Sequence, residues 1–77
     1  MTIDEEKIKE YQAKVGLRIK ELRKINKLSQ SELAARCNFE KTSISRIENN
    51  RVNITLKTIL ILLAGLETNI KDFFDFD

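Results

Sequence analysis

No proline interrupts this chain and only two glycines, Gly16 and Gly65, loosen it, so the residues that enforce tight turns are almost absent. Leu, Ile, Lys, Glu and Ala are plentiful instead, a composition that favours helices over a turn-rich sheet. The expected class is all-α, with no β-sheet, and 77 residues leave room for one domain rather than two. The single cysteine, Cys37, cannot form an internal disulfide, and without histidine there is no Cys/His zinc set. Aliphatic packing must supply the core. The longest apolar run, Ile59 to Leu66, is far shorter than the roughly 20 residues a membrane span needs, and no signal peptide precedes the charged N-terminus, so the default expectation is a cytoplasmic protein.

Apolar residues at Ile8, Tyr11, Val15, Ile19, Leu22 and Ile25 recur every three or four positions, which predicts a helix from about Asp4 to Asn26. Gly16 costs that helix about 1 kcal/mol relative to alanine. Residues 1–14 are therefore read as a helical extension or arm, preceding a domain over 15–77. Ser29 and Glu32 form a capping-box pattern that starts a second helix with Leu33, Ala34 and Cys37 facing inward. Asn38 can take the left-handed conformation that stops it. Phe39 leads into a third helix from about Lys41 to Glu48, buried through Ile44 and Ile47 and ended by Asn49 and Asn50. Thr55 can cap a fourth helix carrying Leu56, Ile59, Leu60, Leu62, Leu63 and Leu66, and Asn69 a short fifth one reaching Phe74.

Charge is distributed unevenly along this framework. Between Lys14 and Lys57 eleven Lys/Arg face four Asp/Glu, a net +7, whereas residues 1–13 carry −2 and residues 58–77 carry −3. A basic centre suits contact with phosphates, although solvated helix faces also produce charge runs. An enzyme would need a nucleophile with its base, a metal set or a phosphate-cradling loop; no histidine and no glycine-rich loop are present, so neither catalysis, cofactor nor metal is expected.

Two short helices joined by a tight turn, the second basic and rich in hydroxyls, have the form of a helix-turn-helix reader of the DNA major groove. Helical hairpins are common in proteins that never touch DNA, so spacing leaves this open. The string from Leu28 to Asn50, with the approach "IKELR", the helix "SQSELA", the helix "SISRIE" and the later "TLKTILILLAGL", resembles the Cro and phage-repressor family of helix-turn-helix domains. The likeness runs from about Val15 to Phe74. It implies a compact five-helix, lambda-repressor-like domain and a dimeric, sequence-specific transcriptional regulator bound to a palindromic site on double-stranded DNA. The size, the "GLE" turn and the "DFF" end look most like controller proteins of restriction-modification systems.

The resemblance also implies roles. Lys41, Thr42, Ser45 and Arg46 stand where relatives touch base edges, Arg and Lys being suited to guanine O6 and N7 and Thr to a base or its methyl group. Gln30 stands where a phosphate is gripped at a helix N-terminus, and Arg51, Asn53 and Lys57 where the backbone runs past. Ser43 can reach a base or a phosphate and is placed with the phosphate set. Arg23 and Glu48 match a structural salt bridge between the first and third helices. Glu40 departs from the family's usual Ser, Thr or Asp cap, weakening the cap and presenting a negative charge to DNA, unless it accepts from cytosine N4.

The fourth helix is apolar around most of its circumference. Ile61, Leu66, Ile70 and Phe73 are accordingly expected at a two-fold dimer interface, the alternative being that the C-terminal phenylalanines close the chain's own core. The rival reading is an antitoxin or other protein-interaction module on the same fold, with the acidic ends, residues 1–13 and 67–77, binding a toxin or other partner.

Overall fold

The computed structural model describes residues 4–75, so the extreme ends of the expected arm (1–14) and of the expected domain (15–77), and of the two acidic ends, lie outside the described residues. Among the described residues five α-helices follow one another, α1 (Glu5–Ile25), α2 (Gln30–Cys37), α3 (Lys41–Glu48), α4 (Leu56–Gly65) and α5 (Ile70–Phe73). No strand occurs among the described residues. α2 packs on both α3 and α4, α1 on α3, and α5 on α4. Ile19, Leu33, Ile44, Leu62, Leu66 and Phe73, drawn from all five helices, fill the centre.

Short polar side chains decide where the helices begin. Asp4, Ser29, Thr55 and Asn69 each accept a hydrogen bond from the backbone N–H three residues on, satisfying a donor that the helix itself cannot. At Ser29 the box is reciprocal, since Glu32 Oε1 accepts from the Ser29 N–H at 2.9 Å. Glu40, ahead of α3, makes no side-chain cap bond.

Left-handed residues decide where they end. Lys27, Asn38, Asn50 and Glu67 all have φ near +56°. After each, the next N–H reaches back to a carbonyl five residues earlier: Leu28 to Arg23, Phe39 to Ala34, Arg51 to Arg46 and Thr68 to Leu63, at 2.8–3.0 Å. The same closing motif thus ends α1 to α4. Asn tolerates that conformation through its short polar side chain; Lys and Glu hold it against their Cβ.

The apolar face of α1 differs from the sequence pattern. The buried residues are Gly16, Ile19 and Arg23, while Tyr11 and Ile25 are exposed. The helix is about 31 Å long, and an eight-residue partner covers only about 12 Å of it, so its ends outrun the core. Gly16 has a different role from a helix breaker. A Cβ there would stand 2.7 Å from the Ile47 carbonyl oxygen and 3.2 Å from that of Glu48. Glycine lets α1 lie directly on the C-terminal turn of α3, and α1 continues unbroken through it from Glu5.

Two of the four residues expected at a dimer interface are corrected. Leu66 and Phe73 are 1% and 0% exposed within the single chain. α5 folds back to close the core, and Arg18 secures it by donating to the carbonyls of Phe73 (3.0 Å) and Asp72 (2.8 Å). Side chains already enclosed this way have no area left for a second chain. Ile61 is half-buried against the core and Ile70 is exposed. Leu56 and Leu60 of α4 are exposed as well.

Candidate nucleic-acid interface

A buried polar network sets the position of α3. Arg23 Nε donates to Glu48 Oε2 at 2.6 Å and its Nη2 donates to Oε1 at 3.0 Å, a two-pronged pair with side chains 10% and 2% exposed. The third guanidinium arm, Nη1, donates to the Leu28 carbonyl at 2.8 Å, just ahead of α2. Gln30 Nε2 donates to Glu48 Oε1 at 3.2 Å. One carboxylate therefore ties α1, the start of α2 and the end of α3 together. Hydrogen bonding to Glu48 raises the Arg23 pKa above its ordinary value, helped by charge attraction and opposed by burial. Among the described residues no buried side-chain nitrogen or oxygen lacks a partner, so this network carries no unpaired group.

The Arg23–Glu48 pair stands at the two positions that the family pattern names. The Gln30 link was missed, because nothing in the spacing of Gln30 and Glu48 reveals that the first turn of α2 abuts the last turn of α3. With the Gln30 amide donating to Glu48 and the Glu32 N–H taken by Ser29, the backbone N–H groups of Gln30 and Ser31, which have no intrahelical acceptor, are the donors the first turn of α2 can offer an anion.

On α3, Ile44 and Ile47 point inward, and Lys41, Thr42 and Arg46 are exposed on the other side. Ser45 is half-buried, and Asn49 Nδ2 donates to its carbonyl at 2.8 Å and its hydroxyl at 3.5 Å. Ser43 and Arg46 are brought together with Asn53 and Thr58 around a pocket of about 240 Å³, floored by Phe39, Ile47, Val52 and Ile54. Arg46, expected at base edges, thus shares a pocket with two residues expected at phosphates. Lys41 and Thr42 lie a turn away at the start of the helix. Arg51 is exposed in the loop that follows. Lys57 stands elsewhere, beside Leu56, Leu60, Ile61 and Ala64 on the apolar side of α4.

Two further residues reach this surface without any signal in the sequence. Thr58 lines the pocket from α4. Gln12, forty-one positions away in sequence, donates through Nε2 to Asn53 Oδ1 at 3.0 Å. With its oxygen accepting from Gln12, Asn53 has its NH2 group left as a donor, the polarity that a phosphate oxygen requires. The N-terminal half of α1 therefore supports the loop between α3 and α4.

Cys37 is buried beside α4, where its Sγ lies 3.8 Å from the Ile61 carbonyl oxygen. Burial pushes the thiol pKa up, with Arg36 acting in the opposite direction. Among the described residues no three metal-ligating side chains come together, and no helix is long and apolar enough to cross a membrane.

Comparison with known proteins agrees with this architecture. A family profile described as "Helix-turn-helix" matches residues 19–73, from the middle of α1 through α5. The control protein C.SmaI of Serratia marcescens is 36% identical over 52 residues, covering 68% of this chain and 62% of the relative, so the match spans less than two thirds of that protein. Among solved structures, the restriction-modification controller protein C.Esp1396I, crystallised as a tetramer with its natural 35 base-pair operator, is 36% identical over 83% of this chain and 84% of its own, with a TM-score of 0.80. The controller C.AhdI from Aeromonas hydrophila is 29% identical over 86% and 96% of the two chains, with a TM-score of 0.80. With five helices in this arrangement, the profile match over most of its length and this degree of identity, the chain belongs to the helix-turn-helix family and is homologous to restriction-modification controller proteins.

Proposed function

We propose that this protein is a sequence-specific transcriptional regulator that binds double-stranded DNA as a homodimer, with α3 in the major groove of each half of a palindromic operator. The observation that carries this reading is a basic, hydroxyl-bearing face of α3 whose inner side is locked by a buried network spanning three helices. In this reading Lys41 and Thr42 meet base edges at the start of α3. Ser43, Arg46 and Asn53 surround a sugar-phosphate group at its pocket, Arg46 extending toward a base from there. Phosphate contacts position the protein and base contacts specify the site. Arg51 and the first turn of α2 hold flanking phosphates.

One α3 reads only a few base pairs, and a dimer places two of them about 34 Å apart in successive major grooves. The exposed Leu56, Leu60 and Ile70, with the half-buried Ile61, are the surface proposed for that dimer, in place of the enclosed Leu66 and Phe73. The controller relatives favour a gene-regulatory role in the cytoplasm, with no catalysis.

Selection of genomic fragments on the immobilised protein tests the reading, followed by titration of the enriched site with wild type, Lys41→Ala and Arg46→Ala across salt concentrations. The expected result is a palindromic site whose preference is reduced in both variants, while binding retains a steep salt dependence. Absence of any enriched sequence would overturn it and favour a partner-binding role for the same scaffold. Sedimentation of wild type and Leu60→Asp tests the interface: a dimer lost in the variant is expected, and a wild-type monomer at high concentration would refute it.

A further inference from the structure

Among the helices, α3 alone begins without a side-chain cap, and it is the helix whose orientation matters most for recognition. Asp4, Ser29, Thr55 and Asn69 cap the others. At α3, as at the other helices, the cap carbonyl closes the first turn: that of Glu40 accepts from the N–H groups of Ser43 at 3.0 Å and Ile44 at 3.3 Å. The Glu40 side chain takes no part in the cap. It is exposed, and among the described residues it takes part in no salt bridge or side-chain hydrogen bond, even with Lys41 beside it.

We propose that Glu40 reads a base: its carboxylate accepts a hydrogen bond from the N4 amine of a cytosine in the major groove and fixes one position in each half-site. The inference rests on the DNA-binding reading above and deepens it. An ionised carboxylate accepts hydrogen bonds only. Guanine O6 and N7 and thymine O4 are acceptors in the major groove and repel it. Adenine offers an amine but sets the N7 acceptor beside it. Cytosine presents the N4 donor with no acceptor on its own major-groove edge, so it is the base that an acceptor-only group prefers. Lys41, next along the chain, carries the opposite preference for guanine, so the pair matches a cytosine and a guanine presented side by side. Glu40 also works by exclusion, since its charge opposes phosphates and the acceptor edges of guanine and thymine.

The experiment compares wild type, Glu40→Ala and Glu40→Asp on the selected operator and on all single-base variants of one half-site. Wild type should prefer cytosine at one position by about tenfold, or about 1.4 kcal/mol. Glu40→Ala should remove that preference and tighten binding to the sites lacking cytosine there. Glu40→Asp supplies a capping side chain one methylene shorter. It should raise the melting temperature of the protein while losing most of the cytosine preference, so stability and specificity move in opposite directions. An unchanged preference profile in both variants would overturn the proposal, as would a loss spread evenly over all positions. If wild type itself selected no sequence, the DNA-binding reading would fall with it. A selected site indifferent to Glu40 would remove this inference alone.

Discussion

α3 and α4 are neighbouring helices of similar length held by opposite means. α3 buries only Ile44, Ile47 and Glu48, and its placement depends on hydrogen bonds with fixed directions and on a backbone-to-backbone approach at Gly16. α4 buries Ile59, Leu62 and Leu63 through apolar packing, with further apolar surface left exposed at Leu56 and Leu60. Apolar contact has no preferred direction, so it stabilises α4 without dictating its rotation closely. The polar network stabilises less for its size and specifies more. A helix that must present particular side chains at fixed positions gains from the second arrangement, and one that supplies bulk burial and a contact surface from the first.

Breaking the network tests that contrast most severely. Glu48→Ala leaves Arg23 buried without its partner and should lower stability by about 3–5 kcal/mol in denaturant titration. The double replacement Arg23→Met with Glu48→Leu should recover much of this loss, because apolar residues of similar volume remove the buried charges altogether. If the network specifies the orientation of α3, the double variant should be stable and still bind DNA poorly. Restored affinity would show that packing alone positions α3.

Next in size are matched changes at the two helices. Gly16→Ala drives a methyl into the Ile47 carbonyl and should cost about 1–3 kcal/mol, whereas Leu62→Met in α4 should cost less than about 1.5 kcal/mol because apolar packing tolerates swaps of equal volume. Equal losses in thermal unfolding would break the comparison. A smaller effect of opposite sign belongs to the helix ends. Lys27→Gly and Glu67→Gly relieve left-handed backbone at non-glycine residues and should each add up to about 1 kcal/mol. Asn50→Gly, where Asn already suits the conformation, should add less.

The smallest effect is expected at Glu32, which is exposed in the first turn of α2. The Ser29 N–H, and then the Ser29 hydroxyl, hold its carboxyl below the ordinary value, with Arg36 adding to the shift. A lowered folded-state pKa means that Glu32 contributes stability above the unfolded carboxylate value and loses it as pH falls through the folded one. Glu32→Gln keeps an acceptor for the Ser29 N–H and removes the titration. It should flatten a small part of the acid limb of stability, and an unchanged limb would show that the box contributes nothing through charge.

Helix limits were legible in the residues because caps and stops are local chemistry. Ser29, Thr55 and Asn69 bind groups three positions away, and Asn38 and Asn50 adopt the left-handed conformation within their own dihedrals. The exposed face of α3 was legible for the same reason, since Ile44 and Ile47 fix the inward side and leave Lys41, Thr42 and Arg46 outward. The apolar face of α1 was only half legible. Periodicity reports which residues could be buried, and the eight-residue length of α3 decides how many are.

The sequence by itself determined the all-helical class, the helix-turn-helix and the basic centre, because each depends on residue type and spacing over a few turns. Tertiary structure alone decided that Leu66 and Phe73 belong to the interior, that Gly16 is a contact and not a break, that Gln30 joins the Arg23–Glu48 pair, and that Gln12 bonds Asn53. Each of these depends on which segments distant in sequence meet. That is settled by the joint packing of five helices around one core, and no local pattern carries it.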